Sequence, residues 1–182
     1  MRKPFTALAT LVMSAAILVA SCDEAGPRTQ VTYVGAYGSM RALGAEARAG
    51  RPVPVHAVNN PFGGDMEMAG FVAETLSARD RYMRFTPAGG GIPEGGGGPR
   101  VLVLVDTPTA YTGISACQGK PYIPESRAER IILHVMVCDE IQRLVEVMGV
   151  LPRASRPLET EFEALLTQAA GELLVGEDKS PK

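Results

Sequence analysis

Cysteine, histidine and a strand-ending aspartate are the residues of this 182-residue chain that invite chemistry. Cysteines stand at 22, 117 and 138, and histidines at 56 and 134. Cys117 could act as a nucleophile once ionised. Cys117, His134 and Cys138 could instead hold a metal. Asp106 closes the apolar run RVLVLVD and opens DTPT. A nucleophilic carboxylate can sit at such a strand end, but that chemistry needs a second aspartate two residues on as general acid. Pro108 stands there and Thr109 is out of place, so Asp106 reads as the start of a turn. His56 and His134 lie in strand patterns, each without a second histidine at ligand spacing. His134 alternates with Ile132 and Met136 and reads as a satisfied core residue.

The segment AGGGIPEGGGGP, residues 88–99, carries seven glycines. A phosphate-binding loop would need a lysine and a hydroxyl residue after its glycines, opening a helix. No lysine follows, so the segment reads as a flexible hairpin loop between two strands, open to proteolysis. Gly119-Lys120 is one residue out of P-loop spacing, and Pro121 replaces the hydroxyl. Glu159, Glu161 and Glu163 suit the positive end of a helix. No GxSxG, HExxH or CxxC pattern occurs. Neither a cofactor nor a metal is expected.

The N-terminus carries a clearer signal. Met1-Arg2-Lys3 is a basic head, and Phe5 to Ala20 is almost wholly apolar or small. That is the layout of a secretory signal, and its apolar run is shorter than the roughly 20 residues that span a bilayer. The next residues, Val19-Ala20-Ser21-Cys22, resemble the lipobox of bacterial lipoproteins. The resemblance, confined to residues 1–22, implies cleavage before Cys22 and lipid on its sulfur and new amino group. Several acyl chains on one residue would give stable membrane anchoring. Asp23 resembles the enteric signal for retention in the inner membrane. Arginine outnumbers lysine 14 to 4 and Gly and Ala abound, as in a GC-rich genome. The expected address is the periplasm-facing side of a Gram-negative envelope, inner or outer membrane undecided.

With Cys22 lipidated, Cys117 and Cys138 remain as an even pair in an oxidising compartment, which makes a disulfide the default reading. The chain from Cys22 onward has 161 residues, the size of one domain, with 16 basic and 20 acidic side chains and a net charge of about −4. It has no polybasic run, which disfavours nucleic acid and anionic headgroups as partners. Aromatics are few and tryptophan is absent, which disfavours a stacking platform for sugars or bases.

These residues have to be positioned by an α+β domain: one mixed sheet of five or six strands with about two helices on one face. The expected division is a signal peptide at 1–21, a lipidated tether at 22–29, the domain at 30–176 and a polar tail at 177–182. Strands are expected over Gln30–Tyr37, Pro52–Val58, Tyr82–Thr86, Arg100–Asp106 and Arg130–Cys138. The prolines of the second suit an edge or a strand start. Residues 39–51 read as a loop with a turn of helix. A helix is expected from a capping Asp65 to about Ala78, with Met66, Ala69, Ala73 and Leu76 on one face. Arg143–Val150 fits a returning strand, and its β-branched residues favour that, but Ile141, Leu144, Val145 and Met148 also match a helix. A last helix follows, with Leu158, Phe162, Leu165, Leu166, Ala169, Ala170, Leu173 and Leu174 in one stripe and Thr160 and Glu163 as a capping box.

Two functional classes fit. One is a membrane-anchored envelope lipoprotein, a non-enzymatic module that binds an envelope protein or assists envelope assembly. The other is an enzyme of unknown type with scattered residues around Cys117, His134 and Asp106.

Overall fold

The computed structural model describes residues 26–35, 39–95, 97–154 and 158–175. Cys22, half of the expected tether (22–25) and the tail (177–182) lie outside them. The fold is α+β: six strands form one mixed sheet in the order β1-β6-β5-β4-β2-β3, accompanied by four helices among the described residues. The elements run β1 (Arg28–Val34), α1 (Ser39–Arg48), β2 (Val53–Val58), α2 (Asp65–Arg79), β3 (Phe85–Gly90), β4 (Arg100–Val105), α3 (Gly113–Cys117), β5 (Arg130–Asp139), β6 (Gln142–Pro152) and α4 (Leu158–Val175). No helix among the described residues is long and apolar enough to cross a membrane.

The two long helices share one face. Alternate residues of β4 and β5 (Val101, Val103, Val105, Ile131, Leu133, Val135 and Val137) point to that face and pack with Val72 and Leu76 of α2 and Phe162, Leu165 and Leu173 of α4. Leu43 of α1 joins the same core. The opposite face carries a smaller cluster, Leu102, Leu104, Met136 and Cys138, covered by Ala116 and Cys117 of α3. All six residues of β4 are buried, because both of its faces are covered and both of its edges are paired. Its continuous apolar run anticipates this.

The contested segment is a strand. β6 pairs with β5 from Arg130↔Pro152 to Asp139↔Gln142, turning at Glu140 and Ile141 with φ 49° at Glu140. Its other edge pairs with β1, so tertiary pairing on both sides overrides the helical period.

Several expectations are corrected. β2 is an inner strand, paired with β3 and β4, so its prolines mark a strand start and not an edge: Pro52 just precedes it and Pro54 is its second residue. The Val53 N–H donates to Arg84 O on the β3 side (2.8 Å). Alternation then turns Pro54 toward β4, one residue before that ladder begins at Val55. The strand expected from Tyr82 starts at Phe85, because Asp80 Oδ1 accepts the Tyr82 and Met83 N–H groups and holds them in a turn. Residues 39–48 form a full helix. Met66 is 52% exposed, and the buried stripe of α2 runs instead through Met68, Ala69, Val72, Ala73 and Leu76. Gly64, not Asp65, is the N-cap; Glu67 Oε2 accepts the Gly64 N–H, and Asp65 Oδ1 accepts the Asn60 N–H (2.8 Å). Thr160 lies inside the first turn of α4, so Thr160 and Glu163 do not cap it.

The glycine-rich segment is not a hairpin loop. β3 and β4 are both parallel to β2 and flank it, so the connection from Gly90 to Arg100 crosses over β2. Ile92 packs on the smaller cluster as the chain passes. At Gly95 a Cβ would lie 2.9 Å from Gln118 O, and at Gly119, where φ is 77°, it would lie 2.6 Å from the Gly95 nitrogen. The glycines let two backbones touch.

Candidate functional site

Charged groups gather on the face that α3 partly covers. Glu146 sits in the middle of β6 and is 5% exposed. Its Oε1 accepts a hydrogen bond from His134 Nδ1 on β5 (2.8 Å), and its Oε2 pairs with Arg143, three residues earlier in the same strand. The Arg143 guanidinium lies over the Tyr33 ring of β1, 3.9 Å from its centroid. Three adjacent strands thus supply one connected polar network. Burial by itself would raise the Glu146 carboxyl, but the hydrogen bond from His134 and then that of Arg143, with their charges, hold it below its ordinary value. Gly113 opens α3 against this pair: a Cβ there would lie 2.5 Å from Arg143 Cδ and 2.8 Å from Glu146 Oε2. Thr112 caps α3 by accepting the Ser115 N–H.

A carboxylate-held imidazole can exchange protons with a bound group. Among the described residues, however, the only hydrogen-bond partner of the His134 side chain is Glu146. No hydrogen bond among the described residues joins the His134 ring to a hydroxyl or a thiol. The geometry explains why a carboxylate is buried here.

Cys117 and Cys138 form a disulfide, with Cα atoms 5.5 Å apart. The bridge ties α3 to β5. Beside it Arg100, paired across the strands with Cys138, donates to Cys117 O (2.6 Å), Glu140 O (2.8 Å) and Gly98 O (3.2 Å). One buried guanidinium therefore joins α3, the β5–β6 turn and the glycine-rich crossover. Burial pushes its pKa down from the ordinary value.

Asp106 is a structural aspartate. It takes φ 53°, and its N–H donates to Ile132 O (2.8 Å) while its Oδ1 accepts the Ile132 N–H (3.0 Å). The side chain thereby continues the β4–β5 ladder beyond its last backbone pair. Arg153 faces its other oxygen at 3.4 Å, and Asp106 O accepts the Glu125 N–H.

The three residues of the enzymatic reading do not assemble. Cys138, which holds the Cys117 sulfur, lies four residues along β5 from His134, about 13 Å at strand rise. Asp106 bonds at Ile132, beyond His134 in the other direction. His56 pairs in register with Leu102, and burial, then Arg100, lower its pKa. No group of three His, Cys, Asp or Glu side chains among the described residues could hold a metal ion.

Glu146, Arg143 and Arg100 are absent from the sequence-derived candidates. The available signal was a single glutamate inside the apolar run LVEVMGV, which becomes a buried charge once the run is a strand rather than a helix.

No family model matches the chain, and no curated protein matches it. Among solved structures, a PelC dodecamer from Paraburkholderia phytofirmans is similar, with a TM-score of 0.43 and 11% identity over 81% of this chain and 98% of that one. That degree of likeness assigns no function.

Proposed function

We propose that this protein is a lipid-anchored envelope lipoprotein whose α+β domain binds another envelope protein or assists envelope assembly without catalysis. The observation that carries the reading is Val19-Ala20-Ser21-Cys22 after a basic head and an apolar run. The Cys117–Cys138 disulfide supports it, since such bridges belong to oxidising compartments. The residues that could have carried chemistry are spent on structure: Cys117 on its bridge, His134 on Glu146, Asp106 on the Ile132 N–H. Non-polar and aromatic side chains that remain at the surface (Val31, Tyr33, Val34, Ile114 and Ile123) offer contact area.

Labelling with a fatty-acid analogue tests the anchor. Cys22→Ala is expected to abolish acyl incorporation and leave unprocessed precursor or protein released from the membrane fraction. Unchanged labelling of Cys22→Ala would refute lipidation there. Crosslinking the lipidated protein in its native membrane, followed by capture, is expected to give one recurrent protein partner.

A further inference from the structure

The N-terminal ends of α2 and α4 meet at a groove of about 360 Å³, on the side of the molecule that carries the main core. Its floor is aromatic. Phe62 and Phe162 stand 5.4 Å apart at a tilt of 54°, with Phe71, Met68 and Leu166 beside them. Of the four phenylalanines after residue 22, three line this one groove. Phe62 and Phe71 keep part of their rings in solvent. The volume falls in the range of ligand clefts, roughly 300–1,000 Å³.

The rim is acidic. Glu67, Glu159 and Glu163 line the groove, and no lysine, arginine or histidine among the described residues does. Helix capping accounts for Glu67, whose Oε2 takes the Gly64 N–H (3.0 Å), and the helix dipole accounts for Glu159 in the first turn of α4. Neither accounts for Glu163, the sixth residue of α4, where the dipole effect has faded. Glu159 and Glu163 also stand at i and i+4, where like charges destabilise a helix by about 0.2–0.5 kcal/mol. The fold thus holds a repulsive carboxylate pair over a partly solvated aromatic floor, and a cation would relieve it.

We propose that this groove binds an arginine side chain, flanked by an apolar residue, on an extended segment of a protein partner. The proposal deepens the reading of the domain as a protein-binding module and rests on it. A guanidinium suits the site better than an ammonium, since its plane can stack on a phenylalanine ring while its N–H groups reach carboxylates on two helices. The flanking apolar side chain would cover the exposed part of Phe71. Charge complementarity decides the occupant: an acidic segment would add like charge to the rim, and a purely apolar one would bring no cation to it.

The test is an amide chemical-shift titration of the full chain with blocked arginyl-leucine, using blocked glutamyl-leucine as the control. Saturable shifts at Asn60, Phe62, Glu67 and Glu163 are expected with the first and none with the second. Glu159→Gln combined with Glu163→Gln, both exposed and isosteric, should weaken binding about tenfold. Phe62→Leu, which keeps the groove apolar, should weaken it as well by removing the stacking surface. Shifts that do not saturate, that are equal for both dipeptides, or that survive the double substitution would overturn the proposal. Failure of the groove and failure of the module separate in the membrane crosslinking experiment. If a partner is captured equally by the wild type and the double variant, the groove is wrong and the module stands. If arginyl-leucine binds as expected but no partner is captured, the groove stands and the module falls.

Discussion

Asp106 and Glu146 are both buried carboxylates, and both serve the sheet. Asp106 replaces a missing backbone acceptor for the Ile132 N–H in a left-handed conformation that asparagine and aspartate tolerate best. Asp106→Asn keeps an acceptor and the backbone tolerance, so it should cost less than about 1 kcal/mol. Asp106→Ala leaves a buried N–H without its partner and strains the backbone, and should cost about 2–4 kcal/mol. Urea unfolding of the two variants checks the difference; an equal loss would mean that the charge, not the acceptor, matters. Glu146 predicts a pH dependence. Its folded-state pKa is depressed, so its stabilising contribution is present above the ordinary carboxylate range and is lost as pH falls through its folded value. Glu146→Gln should be less stable than the wild type at neutral pH and lose less stability between about pH 6 and about pH 3. Melting temperatures over that span measure it, and parallel acid limbs would contradict the assignment.

At the scale of elements, α3 is five residues long and far too short to persist alone. It is held by a staple and by fit. The disulfide closes a segment with a sequence separation of 21, which in the chain-entropy model stabilises by about 3 kcal/mol. Reduction should therefore lower stability by roughly 2–4 kcal/mol, and proteolysis should then begin between residues 107 and 129, the long connection that the bridge anchors. Mass mapping of the first cleavages after reduction tests this; first cleavage elsewhere would mean that the Arg100 hydrogen bonds suffice to hold α3. Gly113 provides the fit, because any side chain there would press on Arg143 and Glu146. α2 and α4 differ from α3 in kind. Their apolar stripes bury against the sheet over more than two turns, so each is stabilised by packing rather than by a covalent link.

For the molecule as a whole, the crossover of residues 91–99 sets the topology. Gly90 pairs at the level of Ala57, and Arg100 starts one residue before the Val55↔Val101 pair. The ends are therefore about 10 Å apart along the strands and about 10 Å across two strand spacings. Nine residues reach this with slack; five reach about 17 Å fully extended, with no allowance for climbing over β2. Deleting residues 95–98 should thus destabilise by more than about 1 kcal/mol, although loop-closure entropy alone would slightly favour the shorter loop. Denaturant midpoints decide, and an unchanged midpoint would refute the crossover.

Local chemistry made much of this legible. The basic head, apolar run and small residues before Cys22 are contiguous, so the expectation of a lipid anchor needs no fold. β4 declares itself through an unbroken apolar run, and α4 through a stripe with helical period, since both patterns follow from burial on fixed geometry. The pairing of Cys117 with Cys138 follows from their number once Cys22 is set apart. Other features depend on contacts between residues distant in sequence. Only pairing with β1 and β5 makes β6 a strand, and only that register turns Glu146 inward to meet His134. Only the insertion of β2 between β3 and β4 turns the glycine-rich segment from a hairpin loop into a crossover. The groove at the ends of α2 and α4 brings Phe62 and Phe162, a hundred residues apart, within ring contact. Periodicity reports which side of an element is buried; it carries no information about which element lies against it, and that is what the tertiary structure decides.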